Sequence, residues 1–268
     1  MKESVIRISI FFSLFILFSI LETIFPRRQR LYRRRFRWPN NFGVLITGTL
    51  LGRFIPFFVP VDAALLAADR GYGLFYMIPI PGWTAFLTSI ILLDLLIYWQ
   101  HRLFHTVPFL SRFHRMHHTD RDIDATTALR FHPIEIIISL ALKTGAVLLL
   151  GAPASAVLVF EIMLNGAAMF NHANLFIPPG TDLFIRKILV TPDMHRIHHS
   201  VYRNERNSNY GFALSWWDYL FRSYTDKPAD GYERMALGIS GYENKKHQKI
   251  ICMLTCPFIK RSQSARES

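Results

Sequence analysis

The chain has few of the residues from which most metal, redox and nucleotide sites are built. Two of its 268 residues are cysteine, Cys252 and Cys256. One CxxxC without a second thiol pair gives neither a disulfide framework nor a thiolate metal site, and a reducing compartment is the plain reading. The HExxH of zinc proteases is absent, as is GxxxxGK[ST], and "GYG" at 71 to 73 is too short to cradle a phosphate. No Ser or Cys stands in a recognisable nucleophile setting, and no haem, flavin or nicotinamide fold is visible. Acidic residues are scarce, 19 against 31 Lys and Arg, for a net charge of +12. There is no internal repeat and no low-complexity linker.

Apolar residues are abundant: 51% of the chain is hydrophobic, with 23 Phe. Together with a strong basic excess, that composition suits a membrane protein with basic flanks better than a soluble enzyme. A nucleic-acid binder would gather its arginines on a polar folded face. Here they adjoin apolar runs instead.

Val5 to Phe25 is long enough to cross a bilayer core of about 20 residues, with Arg7 placed to snorkel, and reads as a retained anchor rather than a signal peptide. "RRQRLYRRRFR" follows, with seven arginines between Arg27 and Arg37. These read as a topology signal that holds residues 27 to 37 in the cytoplasm. A second span is expected over Phe42 to Val61, kinked or interfacial because it holds Arg53, Pro56 and Pro60. A third runs from Leu74 to Trp99, interrupted by "PIPGW". Ile134 to Leu150 and Ala154 to Phe170, separated by "GAP", are each slightly short and form a hairpin returning to the cytoplasmic side. The aromatic run "WWDYLF" at 216 to 221 fits the membrane interface.

Ten of the eleven histidines lie between His101 and His199; only His247 falls outside. His101 and His105 are four apart, and both "HRMHH" at 114 to 118 and "HRIHH" at 195 to 199 have spacing i, i+3, i+4. Residues three and four apart share a helical face, so each HxxHH can aim three imidazoles at one point. Asp94, Tyr98, His101 and His105 form one stripe. Packing gives no reason to place so many ionisable rings beside a membrane. A metal site gives one, and eight or more imidazoles exceed what one ion takes, so two ions are implied. Arg115 and Arg196 cannot be ligands, because guanidinium stays protonated; they are free to pair with acids or meet a lipid headgroup.

HxxxH, HxxHH and HxxHH in that order resemble the integral-membrane fatty acid hydroxylase and sterol desaturase superfamily. "DLLIYWQHRLFH" at 94 to 105, "RFHPIE" at 130 to 135, "NHANL" at 171 to 175, "TPDMHRIHHS" at 191 to 200 and "NYGFALSWWDYLFRSY" at 209 to 224 carry the likeness, over roughly Trp83 to Tyr224. The resemblance implies an all-α, multi-span transmembrane helical bundle whose cytoplasmic helical cap holds a histidine-rich dimetal site. It implies two iron ions, with zinc as a substitute in purified protein, and O2, a separate electron donor or reductase and a lipid substrate as partners. Position by position, His101, His105, His114, His117, His118, His195, His198 and His199 match the family's three boxes. His172 looks like a further ligand, and His132 is a tenth candidate.

A ligating imidazole donates its other N–H to a carboxylate or carbonyl that fixes the ring. Asp94, Asp124, Glu135, Glu161, Asp193 and Asp218 are available for this, or for caps and anchors, and Asn171 is placed to orient His172. Three regions are expected: anchor helices with a basic loop over 1–82, a catalytic region over 83–226 and a basic cytoplasmic tail over 227–268. A lipid would enter by an apolar slot between the span ending at Trp99 and the 134–170 hairpin. The expected chemistry is hydroxylation of a lipid, fatty acyl or sterol-like C–H bond, with desaturation as the alternative. A membrane metal transporter and a zinc hydrolase are the readings of other classes; transport sites lie near the bilayer midplane, whereas these clusters follow the spans.

Overall fold

The computed structural model describes residues 2–53 and 59–259. Its regular structure is helical, joined by isolated bridges such as Pro26 to Leu175 and Leu189 to Leu214. The elements that place the site are α1 (Lys2–Ile24), α2 (Arg34–Arg53), α3 (Pro60–Arg70), α4 (Leu74–Met77), α5 (Gly82–Thr106), α6 (Pro108–His118), α7 (Pro133–Leu150), α8 (Ala154–His172), α9 (Pro179–Ile185) and α10 (Pro192–His198). Short helices follow at Arg203–Arg206, Trp216–Leu220, Gly231–Arg234 and Ile250–Thr255.

Among the described residues, four helices are long and apolar enough to cross a membrane: Val5–Ile24 of α1, α5, α7 and α8. Only 11% to 39% of their apolar windows is buried inside the protein, so most of that surface is left for lipid. The α7–α8 hairpin turns at Gly151, whose φ of +65° is open to glycine at little strain and whose Cβ position lies 2.6 Å from Tyr72 O. Val61 and Ala64 of α3, Leu93 and Ile97 of α5, Val147 of α7, and Val157 and Phe160 of α8 pack into the core between these helices.

The span expected over Phe42 to Val61 is resolved differently. α2 begins at Arg34, and Arg37, Asn41 and Val44 in its first half are buried against the cap; a separate α3 starts at Pro60. Residues 54–58, including Pro56, lie outside the described residues. The third apolar run is also divided, because α4 ends at Met77 and α5 starts only at Gly82.

Arg7 does not simply snorkel. Its Nη2 donates to Glu161 Oε2 of α8 at 2.5 Å, with Lys143 of α7 3.7 Å from the other carboxylate oxygen, so Glu161 ties α1 to the hairpin instead of serving a histidine. The arginines of 27 to 37 do more than mark a side. Arg34 pairs with buried Glu22 at 2.7 Å, and fully buried Arg37 bridges Asp120 at 2.6 Å and Asp124. Burial alone would lower the Arg37 guanidinium, but the two carboxylates overcome it and raise it. Burial likewise opposes ionisation of Asp120, yet Arg37 and Arg130 hold its carboxyl below the usual range.

The cap is built from α6, α10 and the loops around them. Residues 227–259 fold back onto it, with Met235, Leu237, Ile239, Tyr242, Met253 and Cys256 buried.

Candidate metal centre

Nine histidines from α5, α6, α8 and the α10 segment converge in two groups. His101, His105, His114, His118 and His198 form one, and His117, His172, His195 and His199 the other; within each, the candidate ligand atoms lie within 4.8 Å of one another. The grouping corrects the expectation that an HxxHH aims three rings at one point. In α6 the i, i+4 pair His114 and His118 joins the five-ring group while His117 turns to the four-ring group. Around α10 the roles reverse: His195 and His199 join the four-ring group and His198 the five-ring group. Each box therefore reaches both groups, a consequence of the 100° step separating i+3 from i+4 on a helix.

The spacing of the nitrogens is that of donors around ions. His172 Nε2 lies 3.0 Å from His117 Nε2, 3.0 Å from His195 Nε2 and 3.2 Å from His199 Nε2. Neighbouring ligands at about 2.0–2.1 Å from a shared ion are separated by about 2.9–3.4 Å. Hydrogen bonding alone cannot account for the arrangement. The His172 Nδ1 donates to Ala168 O at 2.7 Å, which leaves Nε2 a single lone pair facing three other ring nitrogens.

Similar constraints set other rings. His101 Nδ1 donates to Tyr210 O at 2.8 Å, His198 Nδ1 to Ser208 O at 2.7 Å and His114 Nδ1 to Glu135 Oε1 at 2.6 Å, each leaving Nε2 for an ion. His198 Nε2 and His105 Nε2 are buried without a partner. His117 stacks on Phe131 with centroids 4.6 Å apart. Burial first, then the neighbouring rings, holds His117, His118, His195, His198 and His199 well below the ordinary imidazole value, so they are neutral and keep a lone pair.

His132 stands apart from both groups. It caps α7, with Nδ1 accepting from Ile134 N at 3.2 Å and Nε2 donating to Leu254 O at 3.2 Å, so neither nitrogen is left over. Of the acids, only Glu135 orients a ring. Asp94 accepts from Trp217 Nε1 at 2.8 Å and from the N–H groups of Ala213 and Leu214, anchoring the loop that carries Tyr210 to α5. Asn171 donates to Phe212 O, not to His172. Asp193 pairs with Arg27, and Asp124 caps the 3-10 turn Ala125–Leu129.

Asp218 is the expected internal anchor. It accepts from the N–H groups of Tyr210 and Gly211 and from Ser223 Oγ, fixing the carbonyl that holds His101, and burial pushes its carboxyl up to about 6. In the aromatic run Trp216, Tyr219 and Leu220 are exposed, and Trp217 is buried.

A cavity of about 30 Å³ touches His101, His114, His117 and His195 and is otherwise lined by Ile97, Gln100, Phe104, Phe131, Glu135 and Phe212. It lies between α5 and the start of α7, but with room for only about two waters it is not itself the lipid-sized slot that was expected. Sequence reasoning missed the carbonyls of Tyr210, Ser208 and Ala168, which have no side-chain signature, and the flanking Phe131 and Gln100.

Comparison with known proteins agrees with this geometry. An ornithine lipid hydroxylase, OlsE, of Rhizobium tropici is 30% identical over 167 residues, 62% of this chain and 48% of that protein. An alkylglycerol monooxygenase of Homo sapiens is 30% identical over 128 residues, 47% of this chain and 27% of that protein. A very-long-chain aldehyde decarbonylase, GL1-11, of Oryza sativa subsp. indica is 26% identical over 174 residues, 63% of this chain and 64% of that protein. The chain thus spans less than half the length of the first two. No solved structure matches it. The model of the fatty acid hydroxylase family matches residues 86–223, just over half of the chain and all nine converging histidines, and the chain belongs to that family.

Proposed function

We propose that the protein is a membrane oxidoreductase that uses O2 and electrons from a separate donor to hydroxylate a C–H bond of a lipid. The observation that carries this is the convergence of nine buried or half-buried imidazoles in two groups. Imidazole suits iron, copper, zinc and nickel. The family and the relatives named hydroxylase and monooxygenase favour iron. His101, His105, His114, His118 and His198 would hold one ion, and His117, His172, His195 and His199 the other. Two bound iron ions would supply the activation of O2 needed to oxidise an unactivated C–H bond.

The chain's own residues do the rest. The carbonyls of Tyr210, Ser208 and Ala168, with Glu135, keep the rings aimed. Phe104, Phe131 and Phe212 keep the cavity apolar, and Ile97 and Gln100 face it from the membrane-length helix α5, on the side from which a lipid would arrive. The basic residues of 27 to 37 favour a cytoplasmic cap.

The test is a lipid profile of cells with and without the protein. A lipid heavier by one oxygen, absent from cells carrying H117A or H198A, is expected. A lipid lighter by two hydrogens would indicate desaturation, and no change with iron-loaded protein and a competent reductase would refute the reading.

A further inference from the structure

Arg196 lies between His195 and His198 in sequence, yet its side chain points away from the rings and is among the largest fully buried ones, 2% exposed. Its guanidinium is poorly partnered. Among the described residues its hydrogen bond is a long one, Nη2 to Ala173 O at 3.4 Å, and Nε donates to nothing. Asp193 Oδ1 is 3.6 Å from Nε, and that carboxylate already accepts from Arg27 Nε at 3.1 Å. Buried charges are ordinarily paired and hydrogen-bonded, because leaving one unpaired is costly.

The side chain instead helps to line a narrow cleft shared with Arg28, Arg121, Asp122 and Asn174. Arg28 donates to Met235 O and Arg121 to Glu243 O; neither has a carboxylate within ion-pair distance among the described residues. Asp122 is the one carboxylate facing three guanidiniums, and it accepts from Tyr32 N. The cleft is walled by Arg28, just past α1, and Asn174, just past α8, so it opens where two membrane-length helices end. Phe25, Leu31 and Phe176 nearby are exposed.

We propose that this cleft binds a phosphate oxyanion, as the headgroup of an anionic phospholipid or as free phosphate, with Arg196, Arg28 and Arg121 as donors. Forked guanidiniums match phosphate oxygens. The occupant adds counter-charge where Asp193 and Asp122 are shared among several guanidiniums, and so narrow a cleft, about 10 Å³, admits the oxygens of one oxyanion at its mouth and not the face of an acidic protein. The site stands whether or not the oxygenase reading does.

Thermal unfolding of the full-length protein in neutral detergent tests it. Inorganic phosphate is titrated at ionic strength held constant with chloride, and short-chain phosphatidylglycerol is titrated against phosphatidylcholine. A saturable rise with phosphatidylglycerol over phosphatidylcholine assigns the site to lipid; a rise with phosphate alone assigns it to the free ion. Loss of two charge-assisted bonds in R28Q/R121Q, whose side chains are partly exposed, should weaken the response by about tenfold or more while metal content is unchanged. Absence of any rise beyond the chloride and phosphatidylcholine controls, or an undiminished response in the double variant, overturns the proposal. R196Q, which removes the buried cation, should abolish the response; a full response there would also overturn it.

Discussion

Each imidazole has two nitrogens, and the partner of one decides whether the other is left for an ion. His114 and His132, 18 positions apart, show both outcomes. His114 donates Nδ1–H to Glu135 and keeps Nε2, whereas His132 has both nitrogens engaged in capping α7. Glu135→Ala should therefore lower metal affinity or turnover by about 10- to 100-fold, measured as metal retained per chain and product formed. His132→Ala should keep its metal and lose about 1 kcal/mol of stability as a missing cap. Equal metal loss in the two variants would contradict the assignment. At this scale the sequence was only partly legible: the histidines are visible, but the carbonyls that orient His101, His172 and His198 belong to backbone positions that any residue could fill.

Elements explain why the two HxxHH boxes divide their rings. A helix superposes i and i+4 more closely than i+3, so His114 with His118, and His195 with His199, each serve one group while His117 and His198 cross to the other. The spacing was plain in the sequence, but the division was not, because it depends on α6 and α10 facing one another across the site. The basic segment was only partly legible for a similar reason. Positive charge beside an apolar run signals topology, yet only the fold shows that Arg37 is buried between Asp120 and Asp124 while Arg33 and Arg35 remain exposed. Arg37→Met should cost about 3–5 kcal/mol by leaving buried carboxylates unpaired, read as a fall in unfolding temperature with membrane orientation unchanged. R33Q/R35Q should leave that temperature nearly unaltered and instead weaken the orientation bias in a reporter fusion. The reverse pattern would show that the ion-pair network is not structural.

Over the whole molecule, apolar length foretold four membrane-fit helices, while the second span emerged as α2 and α3 because its first half is occupied with the cap. The fold brings together nitrogen donors separated by up to 98 positions, His101 to His199, and buries rings that would gain partners from bound ions. Stripping metal with a chelator should therefore lower the unfolding temperature, and restoring ferrous iron should return it; an unfolding temperature indifferent to metal would mean that the rings are held by packing alone. The most direct test is iron stoichiometry with X-ray absorption on protein loaded with ferrous iron without oxygen. Two iron ions per chain, ligated mainly by imidazole nitrogen, are expected. At saturating iron, one ion or fewer per chain, or coordination dominated by oxygen or sulfur, would contradict a centre built from these nine histidines.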